Sequence, residues 1–356
     1  MALKLFNDAG THSTILAASP TTDGVITIPD ASGKLAMEKS IGRRNYLING
    51  NFDKWDYGIS QTSNGYGSDN RWYNGAGGST RTHSQVACSD TERALFNAMY
   101  FSRTQVTSSS GSTNLVYKSQ QIENVNLLAG KTVTLSFWAK ADSNKNIAVE
   151  FLQGFGTGGN PSQGVVGIGS QLVPLTTTWQ KKTITLTLPS IVGKTLGTDG
   201  VQTTYTQIQF WFDAGSNYNS RTANLGQQSG TFDIAQVKLE DGLVATDGWH
   251  PYDGEFGSEI QACQRYYEVG SGPRNYWPST SAWVSSSVFF KTKKRVAPTI
   301  TWSIGGVANK VGVDDSGDTA TGGLEPSMDP TSNFSIYVNG TNCVCILFDY
   351  TASAEM

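Results

Sequence analysis

No stretch of this chain approaches the roughly eighteen continuous apolar residues that a membrane-spanning helix needs. Met1-Ala2-Leu3-Lys4-Leu5-Phe6 runs straight into Asn7 and Asp8, so the apolar segment of a secretory leader is missing too. No membrane insertion is expected, and a protein made in a cytoplasm that acts outside would leave by another route, such as cell lysis. Charge is scarce: 15% of the residues are charged and the formal net charge is −3. Nucleic-acid binding needs clustered cations that displace counterions from phosphates, and the densest basic run, Lys291-Thr292-Lys293-Lys294-Arg295, is short and precedes Pro298. It reads as a solvated hairpin end, and no nucleic-acid partner is expected.

Cysteine and histidine are also few. Cys88, Cys263, Cys343 and Cys345 are too scattered for a disulfide scaffold. Cys343 and Cys345 share one face of a strand, where they are poorly placed to bond to each other, and all four read as reduced, mostly packed thiols. His12, His83 and His250 form no metal-spaced pair and flank no Gly-x-Ser-x-Gly turn.

What the chain does have is 39 glycines and abundant Ser, Thr and Asn between short apolar runs, without long blocks of 3.6 period. It is therefore mostly strands and turns. At 356 residues, 38% hydrophobic and 11% aromatic, there is room for two or three units with real cores. Val133, Leu135, Phe137 and Ala139 alternate with Thr134, Ser136, Trp138 and Lys140, as in a strand with one face buried. Ile208, Phe210, Phe212 and Ala214 alternate in the same way with Gln207, Gln209, Trp211 and Asp213. The inward face predicts a core of Leu135, Phe137, Ile208, Phe210 and Phe212. The outward register carries Trp138 and Trp211, and two such strands in one sheet would offer flat rings among hydrogen-bonding groups, a surface suited to sugar rings. A large ring in that register is also commonly found beneath a loop or in a subunit contact.

Around these strands the motifs follow in a definite order. Asn45-Tyr46-Leu47-Ile48-Asn49-Gly50-Asn51-Phe52-Asp53-Lys54-Trp55 opens, then come Asp69-Asn70-Arg71-Trp72, Thr178-Trp179-Gln180-Lys181-Lys182 and Phe232-Asp233-Ile234-Ala235-Gln236-Val237-Lys238-Leu239-Glu240-Asp241-Gly242. Glu259-Ile260-Gln261-Ala262-Cys263-Gln264-Arg265-Tyr266-Tyr267 and a terminal Phe348-Asp349-Tyr350 complete it. This order resembles bacteriophage tail-fibre and virion structural proteins that contain a carbohydrate-binding-module-like β-sandwich, over roughly residues 45 to 290. The implied fold class is all-β: a jelly-roll-like β-sandwich plus a smaller C-terminal β domain, with an extended N-terminal arm and one short helix.

The expected organisation is an arm (1–44), the sandwich (45–255), and a helix followed by the second β domain (256–356). Within the arm, residues 24–35 read as a short extended piece. Ile26, Ile28 and Leu35 are too few to give the arm its own core, so it needs a partner surface. Sandwich strands are expected near 114–121, 131–140, 146–153, 181–188, 205–213 and 231–239. Ser258 and Gln261 read as a capping box that starts a helix over 259–268. Strands near 282–290, 298–304, 334–338 and 343–350 follow.

The glycan-binding candidates are Trp138, Trp211, Gln207, Gln209 and Ser136, with Trp72, Tyr73 and Tyr66 as loop aromatics. The resemblance also implies a possible structural calcium near Asp53, Asp233, Glu240 and Asp241, held by carboxylate and carbonyl oxygens. Asp314-Asp315-Ser316-Gly317-Asp318 is calcium-like but lacks a downstream acidic ligand and reads as a turn. No other cofactor and no catalytic residue is indicated. The expected function is a non-enzymatic phage virion appendage, a homotrimer attached to other virion proteins through residues 1–44 and presenting β domains to a host cell-surface glycan. A purely structural or decorating virion protein and a polysaccharide-degrading enzyme are the alternatives.

Overall fold

The computed structural model describes residues 3–6, 12–15, 45–246, 248–249, 251–252, 256–273, 275–312, 319–325 and 327–356. The chain forms two compact units, Met1–Ile41 and Gly42–Met356. In the first, β1 (Leu3–Phe6) pairs antiparallel with β2 (His12–Ile15). The segment 24–35, expected to be extended, lies outside the described residues, as do His250 and the acidic run 314–318.

The second unit opens with the expected sandwich. Its strands are β3 (Ser60–Gln61), β4 (Tyr73–Gly77), β5 (Thr80–Ala87), β6 (Tyr100–Thr107), β7 (Leu115–Ile122), β8 (Thr132–Ala141), β9 (Lys145–Phe155), β10 (Val165–Leu175), β11 (Gln180–Thr187), β12 (Thr204–Ala214) and β13 (Gly230–Asp241). They make a five-stranded sheet of order β10-β9-β12-β7-β4 and a six-stranded sheet of order β11-β8-β13-β6-β5-β3, antiparallel throughout. Period-two alternation turns one face of each sheet inward. Leu135, Phe137, Ile208, Phe210 and Phe212 are all fully buried there, as their alternation implied. Phe137 and Phe210 meet edge to face across the layer at 5.1 Å.

A polar cluster also sits inside. Lys118 and Asp69, both fully buried, form an ion pair, and Asp69 also accepts from Ser68 and Asn74. The Lys118 ammonium lies 5.8 Å from the Phe52 ring and 5.9 Å from the Trp72 ring. Burial lowers the Lys118 pKa, and the adjacent carboxylate opposes that shift.

Two helices unforeseen in the sequence lie on this body. The first, α1 (Asp90–Phe96), starts in a complete capping box: Ser89 accepts from the Glu92 amide, and the Glu92 carboxylate accepts from the Ser89 amide. The second is a single turn, α2 (Asn219–Thr222).

Then α3 (Phe256–Tyr266) leads into β14 (Tyr267–Ser271), β15 (Asn275–Phe289), β16 (Thr299–Ile304), β17 (Val307–Ala308), β18 (Lys310–Gly312), β19 (Thr319–Glu325), β20 (Asn333–Ile346) and β21 (Asp349–Ser353). These form two four-stranded sheets, β14-β21-β16-β17 and β15-β20-β19-β18, over a second core that includes Val284, Phe334, Ile336, Phe348 and Tyr350. The strand expected over 343–350 is interrupted, since β20 stops at Ile346 and β21 starts at Asp349. Lys294 is not solvated: it is buried, and its Nζ donates to Glu268 at 2.7 Å and to the Gln264 carbonyl at 2.6 Å. Cys88 and Cys263 are buried free thiols, and Cys345 is buried as well.

The helix α3 begins earlier than expected, which places Ser258 inside its first turn rather than at its cap. Glu259 faces the sandwich, where its carboxylate accepts from the backbone amides of Asn49 and Tyr252. Burial raises its pKa from 4.5 to about 7, against the lowering effect of those two amides. Below pH 4.5 the folded and unfolded chains both hold this proton. Between the two values only the folded chain holds it, and above about 7 the folded state carries a buried charge. This group's contribution therefore falls by on the order of 3 kcal/mol as pH rises from about 4.5 to 7. Denaturant titrations of Glu259→Gln across that window should lack this slope, and a slope equal to that of the parent protein would show that other groups produce it.

Contacts between the sandwich and the second β unit centre on Arg71. It is fully buried, adopts φ +71°, lies 3.5 Å over the Tyr266 ring, donates to the Gln121 carbonyl at 2.8 Å and pairs with Glu355. A left-handed φ is uncommon for such a side chain and persists where surrounding contacts over-determine it. Beside it Tyr57 stacks on Tyr267 at 3.5 Å and donates to Glu355 at 3.1 Å.

Candidate functional site

Trp138 and Trp211 do not share a sheet. The first is on β8 of the six-stranded sheet and the second on β12 of the five-stranded one. Since Phe137 and Phe210 meet between the layers, their neighbours Trp138 and Trp211 point to opposite outsides of the sandwich. Alternation fixes which residues face outward but not which sheet a strand joins.

The outer face around Trp138 is covered by protein except for a small cavity of about 110 Å³ that Ser136 and Trp138 line. Phe96 of α1 packs on Trp138 at 6.1 Å and on Trp179 at 5.0 Å, and the Trp179 indole N–H donates to Glu92 at 2.7 Å. Lys140 donates to the same carboxylate at 3.1 Å. Ser136 is buried beneath this layer. Trp72 lies in the loop before β4, as expected, but is not accessible: it is fully buried in the core, donates to the Asn49 carbonyl at 3.0 Å and packs on Phe52 and Phe210.

The outer face of the five-stranded sheet is different. Its register sets Gln207 beside Gln121 and Leu152, Gln209 beside Ser119 and Glu150, and Trp211 beside Tyr117 and Ala148. Tyr73 on β4 stands opposite Ser119. Rings then cross the strands in a row: Tyr66 edge-on to Tyr73 at 5.4 Å, Tyr73 parallel to Tyr117 at 6.0 Å and 11°, and Tyr117 against Trp211 at 5.6 Å. Trp211 ends the row and is buried rather than open, because Tyr218 packs on it at 5.2 Å and the Arg221 guanidinium lies 5.0 Å over its ring.

Tyr66, Tyr73, Tyr117 and Tyr205 remain half-buried. Two absent side chains give the last two rings their seats. A Cβ at Gly75 would overlap the Tyr117 ring, and one at Gly154 would overlap the Tyr205 ring. Six residue steps along β12 put Tyr205 about 20 Å from Trp211 at about 3.3 Å per residue. Between them runs an amide ladder, Gln121 donating to Gln207 at 3.1 Å and Gln207 to Gln209 at 2.7 Å. Gln207 and Gln209 are themselves largely buried, so the half-buried Gln121 is the more accessible member. Burial pushes the Tyr117 phenol up to about 12, which keeps it neutral.

Charge on this face is compensated. Glu150 accepts from the Trp211 indole at 3.0 Å, from Arg221 Nε at 3.0 Å and from the Gly167 amide at 2.7 Å. Among the described outward residues of β4, β7 and β9, and of β12 between Tyr205 and Trp211, it is the one carboxylate. Tyr117, Tyr205 and Gln121 were missed as candidates in the sequence. The signal available in the sequence was their outward register on the expected strands 114–121 and 205–213, whereas Gly75, Gly154 and Gln207 opposite them come from strand pairing.

The calcium candidates are not gathered. Asp233 is bound by Arg103 at 2.8 and 2.9 Å, Glu240 accepts from the Thr246 amide and lies 3.1 Å from Lys238, Asp241 accepts from Tyr46, and Asp53 accepts from Asn51. Among the described residues no group of three or more His, Cys, Asp or Glu side chains could hold a metal ion. The acidic residues near the first and last sandwich strands do not fit a calcium site, because Asp233 and Glu240 are already neutralised by cations.

No protein-family model and no curated protein matches the chain. Several solved structures match part of the chain. A carbohydrate-binding module, CBM4, is 21% identical over 55% of this chain and 98% of its own, with a TM-score of 0.29. A family 11 carbohydrate-binding module from Clostridium thermocellum, solved with a β-1,3-1,4-mixed-linked tetrasaccharide, is 14% identical over 52% of this chain and 98% of its own, with a TM-score of 0.31. The enzymatically active domain of tailspike protein 4 of bacteriophage CBA120 is 14% identical over 56% of this chain and 21% of its own, also at 0.31.

Proposed function

We propose that the outer face of the five-stranded sheet binds a glycan, without cleaving it, as the host-recognition surface of a phage virion appendage. The observation that carries this reading is the row of half-buried rings, Tyr66, Tyr73 and Tyr117, beside amide side chains. Sugar rings have apolar faces that stack on aromatics and hydroxyls that pair with amides. A non-enzymatic role is supported by Glu150, which is held by Arg221 and Trp211 with no second carboxylate beside it among the described residues of this face, whereas glycoside hydrolysis uses two facing carboxyls. The virion context rests on the order of sequence motifs. It includes attachment through residues 1–44 and assembly as a homotrimer, which would raise weak single-site binding through effective concentration.

The test is retention of the full chain on soluble β-glucan, xylan, galactan and the host's surface polysaccharide. Tyr73→Ala with Tyr117→Ala should weaken binding about tenfold or more, since each stacked ring contributes on the order of 1 kcal/mol. The thermal transition should move less than on truncation of the core ring Phe210, because both tyrosines keep part of their surface exposed. Unchanged retention in the double variant, or none in the parent, would remove the site. Light scattering of the full chain should give three times 38.3 kDa, and a monomer would remove the trimer.

A further inference from the structure

A cavity of about 440 Å³, with no residue of the ring row in its lining, lies where the first turn of the sandwich, the end of α1 and the residues after it, the segment around Trp249 and the start of α3 converge. That volume is in the range of small-molecule sites. Its wall is largely apolar, made by Ala98, Met99, Tyr100, Pro251 and Ile260. Two polar atoms of its lining residues stand out. Asn51 is buried and donates through Nδ2 to Asp53 at 2.8 Å, but its Oδ1 has no protein partner among the described residues. The buried Nε1–H of Trp249 likewise has none. Buried polar atoms are paired in the great majority of cases, so an unpaired acceptor and an unpaired donor on two residues that line one cavity call for a partner that carries the complement of both, although Trp249 also borders the smaller cavity beside Trp138.

The charged residues at the cavity answer one another. Glu259 is engaged by two backbone amides, Lys54 pairs with Asp56 at 3.0 Å, and Arg93 pairs with Asp90 while donating to the Cys88 carbonyl at 2.7 Å. Each cation of the lining thus has its own carboxylate and Glu259 has two amide donors, so no unpaired cation is left to select an anion, and among the described residues no group of three acidic side chains is there to hold a metal ion. The ligand that fits is neutral, partly apolar, and equipped with one donor and one acceptor.

We propose that this cavity is a second binding site, for an N-acetylated amino sugar. The acetamido N–H donates to Asn51 Oδ1, the acetamido carbonyl accepts from Trp249 Nε1, and the methyl group and sugar face lie against the apolar wall. The site is independent of the five-stranded sheet, and its fate does not depend on whether that sheet binds a glycan.

The experiment titrates N-acetylglucosamine, glucose and N-methylacetamide separately into the ¹⁵N-labelled full chain and follows the indole N–H resonances. N-acetylglucosamine should shift one of them strongly, and glucose should bind at least tenfold more weakly. Trp249→Phe, which keeps a ring but no donor, should remove that resonance and weaken binding at least tenfold while retention on polysaccharide through Tyr117 is unchanged. Asn51→Leu should weaken it comparably. If Asn51→Leu does not fold, Trp249→Phe and the glucose comparison still decide. The assignment is overturned if no indole resonance moves, if glucose binds as well, if the strong shift persists in Trp249→Phe, or if it disappears in Tyr117→Ala. N-methylacetamide binding as tightly as the sugar would also overturn it, since the cavity would then read a bare amide.

Discussion

Phe210→Ala is expected to lower the free energy of unfolding by about 3–5 kcal/mol. The ring is fully buried at the centre of the sandwich, edge-on to Phe137 at 5.1 Å and 6.2 Å from Trp72, so it ties together both sheets and the segment before β4. Truncation removes its transfer free energy and leaves a hole that two packed sheets cannot easily close. Phe137→Ala should cost a similar amount, and the double variant less than the sum, because the two rings are partners. Urea denaturation monitored by tryptophan fluorescence measures all three. A loss below about 1 kcal/mol for Phe210→Ala would mean that neighbouring side chains refill the space and that the two sheets do not depend on this ring to stay packed.

Glu355→Ala should cost a comparable 3–5 kcal/mol, by another mechanism. Arg71 is fully buried, and once the carboxylate is gone its guanidinium keeps neutral partners, the Gln121 carbonyl, the Tyr266 ring and Tyr66, but no counter-charge paired with it. Coulombic attraction in a poorly solvated site is strong, and so is the penalty for a charge left there alone. Replacing both partners together, Arg71→Met with Glu355→Leu, should recover much of the loss, because no charge then needs burial. A thermodynamic cycle over the four proteins gives the coupling. An effect of Glu355→Ala within 1 kcal/mol of zero would show that water reaches Arg71 readily.

The parts of this fold written as alternation were readable. The runs Val133 to Ala139 and Ile208 to Ala214 gave the right strands and the right inward faces because period two is a local property of the chain. Strand β4 has only Asn74 and Ala76 at its inward positions, and β10 has two register shifts against β9, so neither announced itself. Helix α1 was readable in principle from Ser89 and Glu92 at capping-box spacing. Lys118 falls on the inward face between Val116 and Gln120, and no sequence rule places an ammonium there without knowledge that Asp69 lies opposite. The same holds for the candidate site. Tyr73 and Tyr66 were identified individually, but the row they form with Tyr117 comes from a pairing of strands β4, β7 and β12 that no local pattern encodes.

The Arg71–Glu355 pair joins positions 284 residues apart. A ribosome adding ~5–20 residues per second needs roughly 15–60 s to make that much chain. For that interval every strand of the sandwich is progressively available while its deepest guanidinium waits for its carboxylate, and Arg71 must stay hydrated. The surface later covered by Tyr266, Tyr267 and Glu355 is therefore an open, cationic patch during synthesis. Its closure marks in time the arrival of the last strand, β21, and the two residues that follow Ala354's hydrogen bond to the Tyr266 carbonyl seal it.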